Sequence, residues 1–179
     1  MIKLTKDILL FTDLFEDKDI SQIFSILENC KWQLWERAND DKIGEIFFVK
    51  ENKDLSDIIN CVSQKCLNQY MEELSIDQTL HYNDCIDTYI RKWDFPMKGI
   101  TAHRDHSADA DGNALPIRYT LCGYLNDDYE GGLLEFPEYN LSIKMPARSA
   151  IVFPSNELHQ VTDLIGKDRY MWSCFVIAK

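Results

Sequence analysis

Positive charge is scarce in this 179-residue chain: nineteen Lys and Arg stand against thirty Asp and Glu, a formal net charge of −11. That balance speaks against a nucleic-acid backbone or an anionic membrane surface as partner, and its simplest consequence is solubility. Long apolar runs are also missing. Ile8-Leu9-Leu10-Phe11 is short and flanked by charge, unlike the centre of a signal peptide. Nothing approaches the length needed to cross a bilayer. The six cysteines (Cys30, Cys61, Cys66, Cys85, Cys122, Cys174) form no C-x-x-C pair. They sit inside apolar patterns and suit reduced, mostly buried thiols, so a cytoplasmic protein is expected. Repeats, low-complexity tracts and linkers are absent as well, which leaves one domain over 1–179 as the simplest reading.

What the chain does contain is 45% apolar and 12% aromatic residues, an ordinary globular composition. Residues 3–15 alternate loosely, as a short strand entering the fold would. Asp17-Lys18-Asp19 then caps a helix with Ile20, Ile23, Phe24 and Leu27 at helical spacing. Trp32, Leu34 and Trp35, followed by 46–49, read as two strands joined through a polar turn at 39–42. A longer helix over about 55–74 carries the stripe Leu55, Ile58, Ile59, Val62, Cys66, Leu67, Tyr70, Met71 and Leu74. After Asp77 the pattern turns β-rich, with strands expected over 87–95, 117–125, 132–136, 141–145, 150–153 and 170–178. Helices first and short strands second give an α+β fold. Helical support falls mainly in 1–80, and an antiparallel sandwich or jelly roll in about 82–178.

The chemistry centres on Thr101-Ala102-His103-Arg104-Asp105-His106. On an extended strand, His103 and Asp105 leave the same face and can grip one ion. His159, after the strand ending at Phe153-Pro154, would complete a 2-His-1-carboxylate set with open coordination positions. Arg169 lies ten residues further on, 169 − 159 = 10. A turn at Gly166 would return it on an adjacent antiparallel strand, deep behind the metal, where its planar fork suits a carboxylate. Thr120, Cys122 and Tyr124 share one strand face, and Tyr124 can equally be a core tyrosine. His106 falls on the face opposite His103, and His81 has no visible partner. Arg104 points away from the ligand pair, toward solvent or substrate, and Gly131-Gly132 is a tight turn with no helix after it.

Several elements in order resemble the 2-oxoglutarate- and Fe(II)-dependent dioxygenases, specifically the prolyl 4-hydroxylase-like branch. They are His103-Arg104-Asp105, Arg118 through Tyr124-Leu125-Asn126, Gly131-Gly132-Leu133-Leu134-Glu135-Phe136-Pro137, Pro146 through Phe153-Pro154, His159, and Gly166-Lys167-Asp168-Arg169. The resemblance implies a double-stranded β-helix (jelly roll) core. It also implies Fe(II) held by His103, Asp105 and His159, and 2-oxoglutarate as co-substrate, with ascorbate supportive. Arg169 would take the distal carboxylate of 2-oxoglutarate, Tyr124 would add a hydrogen bond, and Thr120 would line the same pocket. The implied reaction consumes O₂, releases succinate and CO₂, and hydroxylates a C–H bond, by family analogy that of a prolyl residue in a peptide or protein. There is one departure. Relatives place a tyrosine about ten residues before the first His, where this chain has Trp93, with Tyr89 a possible equivalent. The loops 94–99 and 107–116, the second expected as a mobile flap, would flank an extended peptide, with Trp93 or Phe95 as a wall. Other readings of the same residues are a cupin-like metal- or sugar-binding protein, a non-catalytic interaction module, and a hydroxylase of a small molecule.

Overall fold

The computed structural model describes residues 1–36, 42–76, 85–94, 96–105, 107–108 and 114–177. Two short strands, β1 (Ile2–Lys3) and β2 (Leu9–Phe11), precede helix α1 (Asp17–Asn29). Strands β3 (Gln33–Glu36) and β4 (Lys42–Phe48) lead into α2 (Lys53–Leu74). The rest is β structure: β5 (Cys85–Trp93), β6 (Ile100–His103), β7 (Ser107–Ala108), β8 (Ala114–Leu115), β9 (Ile117–Tyr124), β10 (Glu130–Gly131) and β11 (Leu134–Phe136). It continues with β12 (Leu141–Ile143), β13 (Ser149–Pro154), β14 (His159–Val161), β15 (Leu164–Ile165) and β16 (Arg169–Ile177).

Eight strands form the larger sheet, in the order β1-β2-β13-β9-β16-β5-β4-β3. Four form the smaller one, β12-β11-β14-β6, and both are antiparallel throughout. Two facing antiparallel sheets with the chain crossing between them make the double-stranded β-helix that the sequence led us to expect. Both helices lie on the outer face of the larger sheet. Asn52 caps α2 by accepting from the Leu55 N–H at 3.0 Å. Asp19 accepts from the Glu16 N–H at 3.1 Å at the start of α1. The apolar stripe of α2 buries Leu55, Ile59, Cys66, Leu67 and Tyr70. The Tyr70 hydroxyl donates to the Asp7 carbonyl at 2.7 Å, which ties the helix to the N-terminal segment.

Alternation along the shared strands separates two cores. Leu121, Trp172, Cys174 and Val176 pack with the helices. Tyr124, Trp93, Met171, Phe136 and Phe153 pack between the sheets. Gly123 pairs with Trp172, and a Cβ built there would lie 2.1 Å from the indole ring. A side chain at 123 therefore has no room on the helix-facing side.

Several boundaries differ from the sequence reading. Residues 3–15 hold two short strands with a turn between them, in which the Thr5 hydroxyl accepts from the Asp7 and Ile8 N–H groups. The strand expected at 132–136 begins only at Leu134, because Gly131 and Gly132 adopt φ of +64° and +58°. Strands β14 and β15 are too short to show a period, and the sequence segmentation passed over them. The expected flap contains a paired segment, Ser107–Ala108 against Ala114–Leu115, while residues 109–113 lie outside the described residues. His81, Phe95, His106, Ala178 and most of the expected turn at 39–42 also lie outside them. Among the described residues no helix is long and apolar enough to cross a membrane.

Candidate active site

His103 and His159 face each other across the β6–β14 pair, with ring centroids 4.3 Å apart. Asp105 reaches them in a different way from the one expected. Strand β6 stops at His103, so the same-face rule for strands does not deliver the carboxylate. Instead the Asp105 N–H donates to the Ser155 carbonyl at 2.9 Å, just past β13, and turns the side chain back. Its Oδ1 lies 3.7 Å from His103 Nε2, and its Oδ2 lies 3.7 Å from His159 Nε2. The three ligand atoms all fall within 4.8 Å of one another.

The tautomers follow from the hydrogen bonds. His103 Nδ1 lies 2.8 Å from the Thr101 carbonyl, and His159 Nδ1 lies 3.0 Å from the Glu157 carbonyl. A carbonyl only accepts, so each Nδ1 carries the proton and each Nε2 presents its lone pair to the centre. Thr120 donates to Asp105 Oδ2 at 2.6 Å, which fixes the carboxylate. Phe153 packs edge-on against the His159 ring, 5.0 Å between centroids. Two oriented imidazoles and one oriented carboxylate are the donor set that suits a borderline divalent metal such as Fe(II).

Arg169 begins β16, which pairs with β5 and β9 in the larger sheet, whereas His159 lies in the smaller one. The two strands lie in different sheets, contrary to the adjacent antiparallel pair that the spacing had suggested. Beyond β14 the chain crosses between sheets through β15 and Gly166, whose φ is +90°. The guanidinium is nonetheless fully buried. It lies 4.0 Å over the Trp93 ring, with Tyr124 and Tyr129 rings at 5.7 and 5.8 Å. Nη1 donates to the Gly132 carbonyl at 2.9 Å, while Nε and Nη2 have no acceptor among the described residues. Burial, which penalises the charged form, lowers its pKa from the ordinary arginine range. A buried cation with two unsatisfied donors is costly until an anion joins it. Tyr124 is buried in the same group, and burial raises its pKa, so the phenol keeps its proton.

A cavity of about 510 Å³ opens beside the triad. His103, Asp105, His159, Thr120 and Tyr124 line it, as do Tyr89 and Trp93. Thr120 is thus in the cavity wall, with its hydroxyl committed to Asp105. Trp93 supplies a ring to Arg169, and Tyr89 accepts a hydrogen bond from Arg91. Arg104 also borders the cavity but lies largely in solvent, with Nη2 2.8 Å from Glu138 Oε1. The sequence reading passed over Arg91, a second buried arginine in the wall. A usable signal was present: alternation over Tyr89-Ile90-Arg91-Lys92-Trp93 sets a cation between two aromatics on one face.

No family model matches the chain. A PKHD-type hydroxylase of Hyphomonas neptunium (strain ATCC 15444) is 32% identical over 75 residues, which are 39% of this chain and 34% of that protein. The matched part is therefore about a third of the relative's length. A viral collagen prolyl hydroxylase from Paramecium Bursaria Chlorella virus-1, solved as a 2OG complex, superposes with a TM-score of 0.70 at 15% identity. That match covers 96% of each chain. The non-heme alpha-ketoglutarate-dependent carbocyclase SnoK from nogalamycin biosynthesis gives 0.71 at 10% identity, over 96% of this chain and 79% of its own. With its paired sheets, His103 and His159 on the smaller one and Asp105 just past its edge strand, the chain has the fold of the 2-oxoglutarate- and Fe(II)-dependent oxygenases, prolyl hydroxylases among them.

Proposed function

We propose that this chain is an Fe(II)- and 2-oxoglutarate-dependent dioxygenase that hydroxylates a C–H bond. One observation carries the reading: an oriented His-Asp-His set borders a cavity whose wall residues Trp93 and Tyr124 pack against a fully buried arginine that has two donors to spare. His103, Asp105 and His159 would hold the iron and leave coordination positions open. Arg169 and Tyr124 would take the distal carboxylate of 2-oxoglutarate. When bound, iron and co-substrate supply O₂ activation, with succinate and CO₂ as by-products and ascorbate as a supporting reductant. The chain's own part is positioning. The Thr101 and Glu157 carbonyls hold both Nδ1 protons, Thr120 aims the carboxylate, and Phe153 shields His159.

By analogy with the collagen prolyl hydroxylase, the substrate is a prolyl residue in a peptide or protein. A cupin-like binding protein would need the metal ligands but has no use for Arg169 at this depth. The test is incubation with Fe(II), ascorbate and 2-oxoglutarate, with and without proline-containing peptides, following succinate and peptide mass. Stimulated succinate formation with a gain of one oxygen on proline is expected. Stimulation only by free amino acids or other small molecules would overturn the peptide reading. No 2-oxoglutarate binding by the Mn(II)-loaded protein would overturn the dioxygenase itself.

A further inference from the structure

The cavity holds a cation that the proposed reaction does not use. Arg91 is 6% exposed and lies in the cavity wall on β5, where Met171 of β16 pairs with it and in turn with Tyr124 of β9. Three strand positions thus carry the wall from Tyr124 to Arg91. The guanidinium stacks on Trp35 of β3, its carbon 3.7 Å from the ring centroid. Its Nη2 donates to the Tyr89 hydroxyl at 2.9 Å, and Nε has no acceptor among the described residues. No described carboxylate is ion-paired with it.

An arginine held this way is built to receive something. The Trp35 stack and the Tyr89 bond fix the plane of the fork and remove much of its rotamer freedom. Burial without a counter-charge leaves most of the charge unspent, and the natural completion is a planar anion taken side-on. 2-Oxoglutarate offers one distal carboxylate, and Arg169 already waits for it with two free donors. Trp93 contacts both cations, its ring centroid 4.0 Å from the Arg169 guanidinium carbon and 5.5 Å from that of Arg91. With its distal carboxylate taken by Arg169 and its other end at the metal, 2-oxoglutarate has no further carboxylate for Arg91. The Arg91 side opens instead onto Trp35, Ile46 and Phe48, from strands outside the metal-bearing sheet.

We infer that Arg91 is a specificity residue that binds a carboxylate of the primary substrate. The inference rests on the dioxygenase reading above and adds the substrate's chemistry: the C–H bond to be hydroxylated belongs to a molecule carrying a nearby carboxylate. That group comes either from a free amino acid or similar small acid, or from an acidic side chain beside the target residue in a peptide. The apolar walls around Arg91 accept the carbon skeleton, and the guanidinium sets its direction. An electrostatic anchor of this kind is unusual in a chain of net charge −11, whose exterior disfavours acids.

The experiment uses the full chain loaded with Mn(II) and 2-oxoglutarate, and reads binding by calorimetry without turnover. The probes are free L-proline and N-acetylproline, and peptides with Asp or Glu beside proline, each against its matched amide. Wild type should bind the carboxylate form of at least one pair about tenfold or more tighter than the amide. Arg91→Met should erase that preference, and Arg91→Lys should keep part of it, which controls for folding. 2-Oxoglutarate affinity should change less than about threefold in Arg91→Met, against about a hundredfold in Arg169→Met. The free-acid and peptide arms identify the source of the carboxylate. Equal binding of acid and amide by wild type, or an undiminished preference in Arg91→Met, would overturn the inference. Loss of 2-oxoglutarate from Arg91→Met alone would assign Arg91 to the co-substrate instead. Failure of wild type to bind Mn(II) and 2-oxoglutarate would refute the underlying dioxygenase reading.

Discussion

The two faces of the larger sheet are built from the same strands and do opposite things. Toward α1 and α2 the strands present Leu121, Trp172, Cys174 and Val176, a dry apolar layer with the Trp172 N–H donating to Ser63 at 3.1 Å. Toward the smaller sheet they present Thr120, Cys122, Tyr124 and Arg91 to the cavity, with Arg169 behind Trp93 and Tyr124, and both arginines are buried and incompletely bonded. One residue of register separates a face that stabilises from a face that carries unsatisfied groups. The lesson is that stability and chemistry are segregated by alternation. The helix-backed side offsets what the cavity side leaves unpaired.

The sharpest way to break this comparison is at Trp172, whose ring fills the helix side over Gly123. Trp172→Ala should lower folding stability by about 3–5 kcal/mol, read by denaturant unfolding. The loss should be the same with or without Mn(II), since the residue faces away from the triad.

Arg169→Met tests the opposite face. Removing a charge that lacks its partner should leave the ligand-free protein melting no lower than wild type. Binding of 2-oxoglutarate should weaken about a hundredfold or more, an effect of roughly 3–5 kcal/mol, and Mn(II) affinity should hold. A clear drop in melting temperature without ligand would show that Arg169 is a structural residue.

Thr120→Val removes the hydrogen bond to Asp105 with little change of volume. Metal affinity should fall about 10- to 100-fold, by titration with Mn(II), with the fold intact. An unchanged affinity would mean that Asp105 is oriented by its backbone bond to Ser155 alone.

The smallest effect concerns thiols on the two faces. Burial pushes Cys66, on the helix side, and Cys122, on the cavity side, up to about 12. A raised thiol pKa lowers the thiolate fraction, so at pH 8 both should resist iodoacetamide while exposed Cys61 reacts. Labelling of Cys122 at pH 8 would show that the cavity is wetter than its packing implies.

The residues of the candidate site were named from the chain. The H-x-D pair, His159 and Arg169 were legible as residue types in order, and the inward face carrying Thr120 and Tyr124 by alternation, but strand spacing misplaced both Asp105 and Arg169. Helices α1 and α2 declared themselves by periodicity, since 13 and 22 residues are enough to display one. Strands of two or three residues such as β14 and β15 are not. Their existence depends on neighbours far along the chain, and so the sequence segmentation missed them.

Residue types and their order, then, were determined by the sequence alone: which groups could ligate, which face of each strand was apolar, and where the helices begin. Tertiary structure decided what alternation cannot reach. It placed Asp105 by a backbone bond to Ser155 beyond the end of its strand, and it sent Arg169 to the opposite sheet from His159. It also turned Arg91 from one charge among nineteen into a buried cation stacked between aromatic rings. Burial and the lack of a counter-charge are properties of what surrounds a residue, and those surroundings come from strands distant in sequence that only folding brings together.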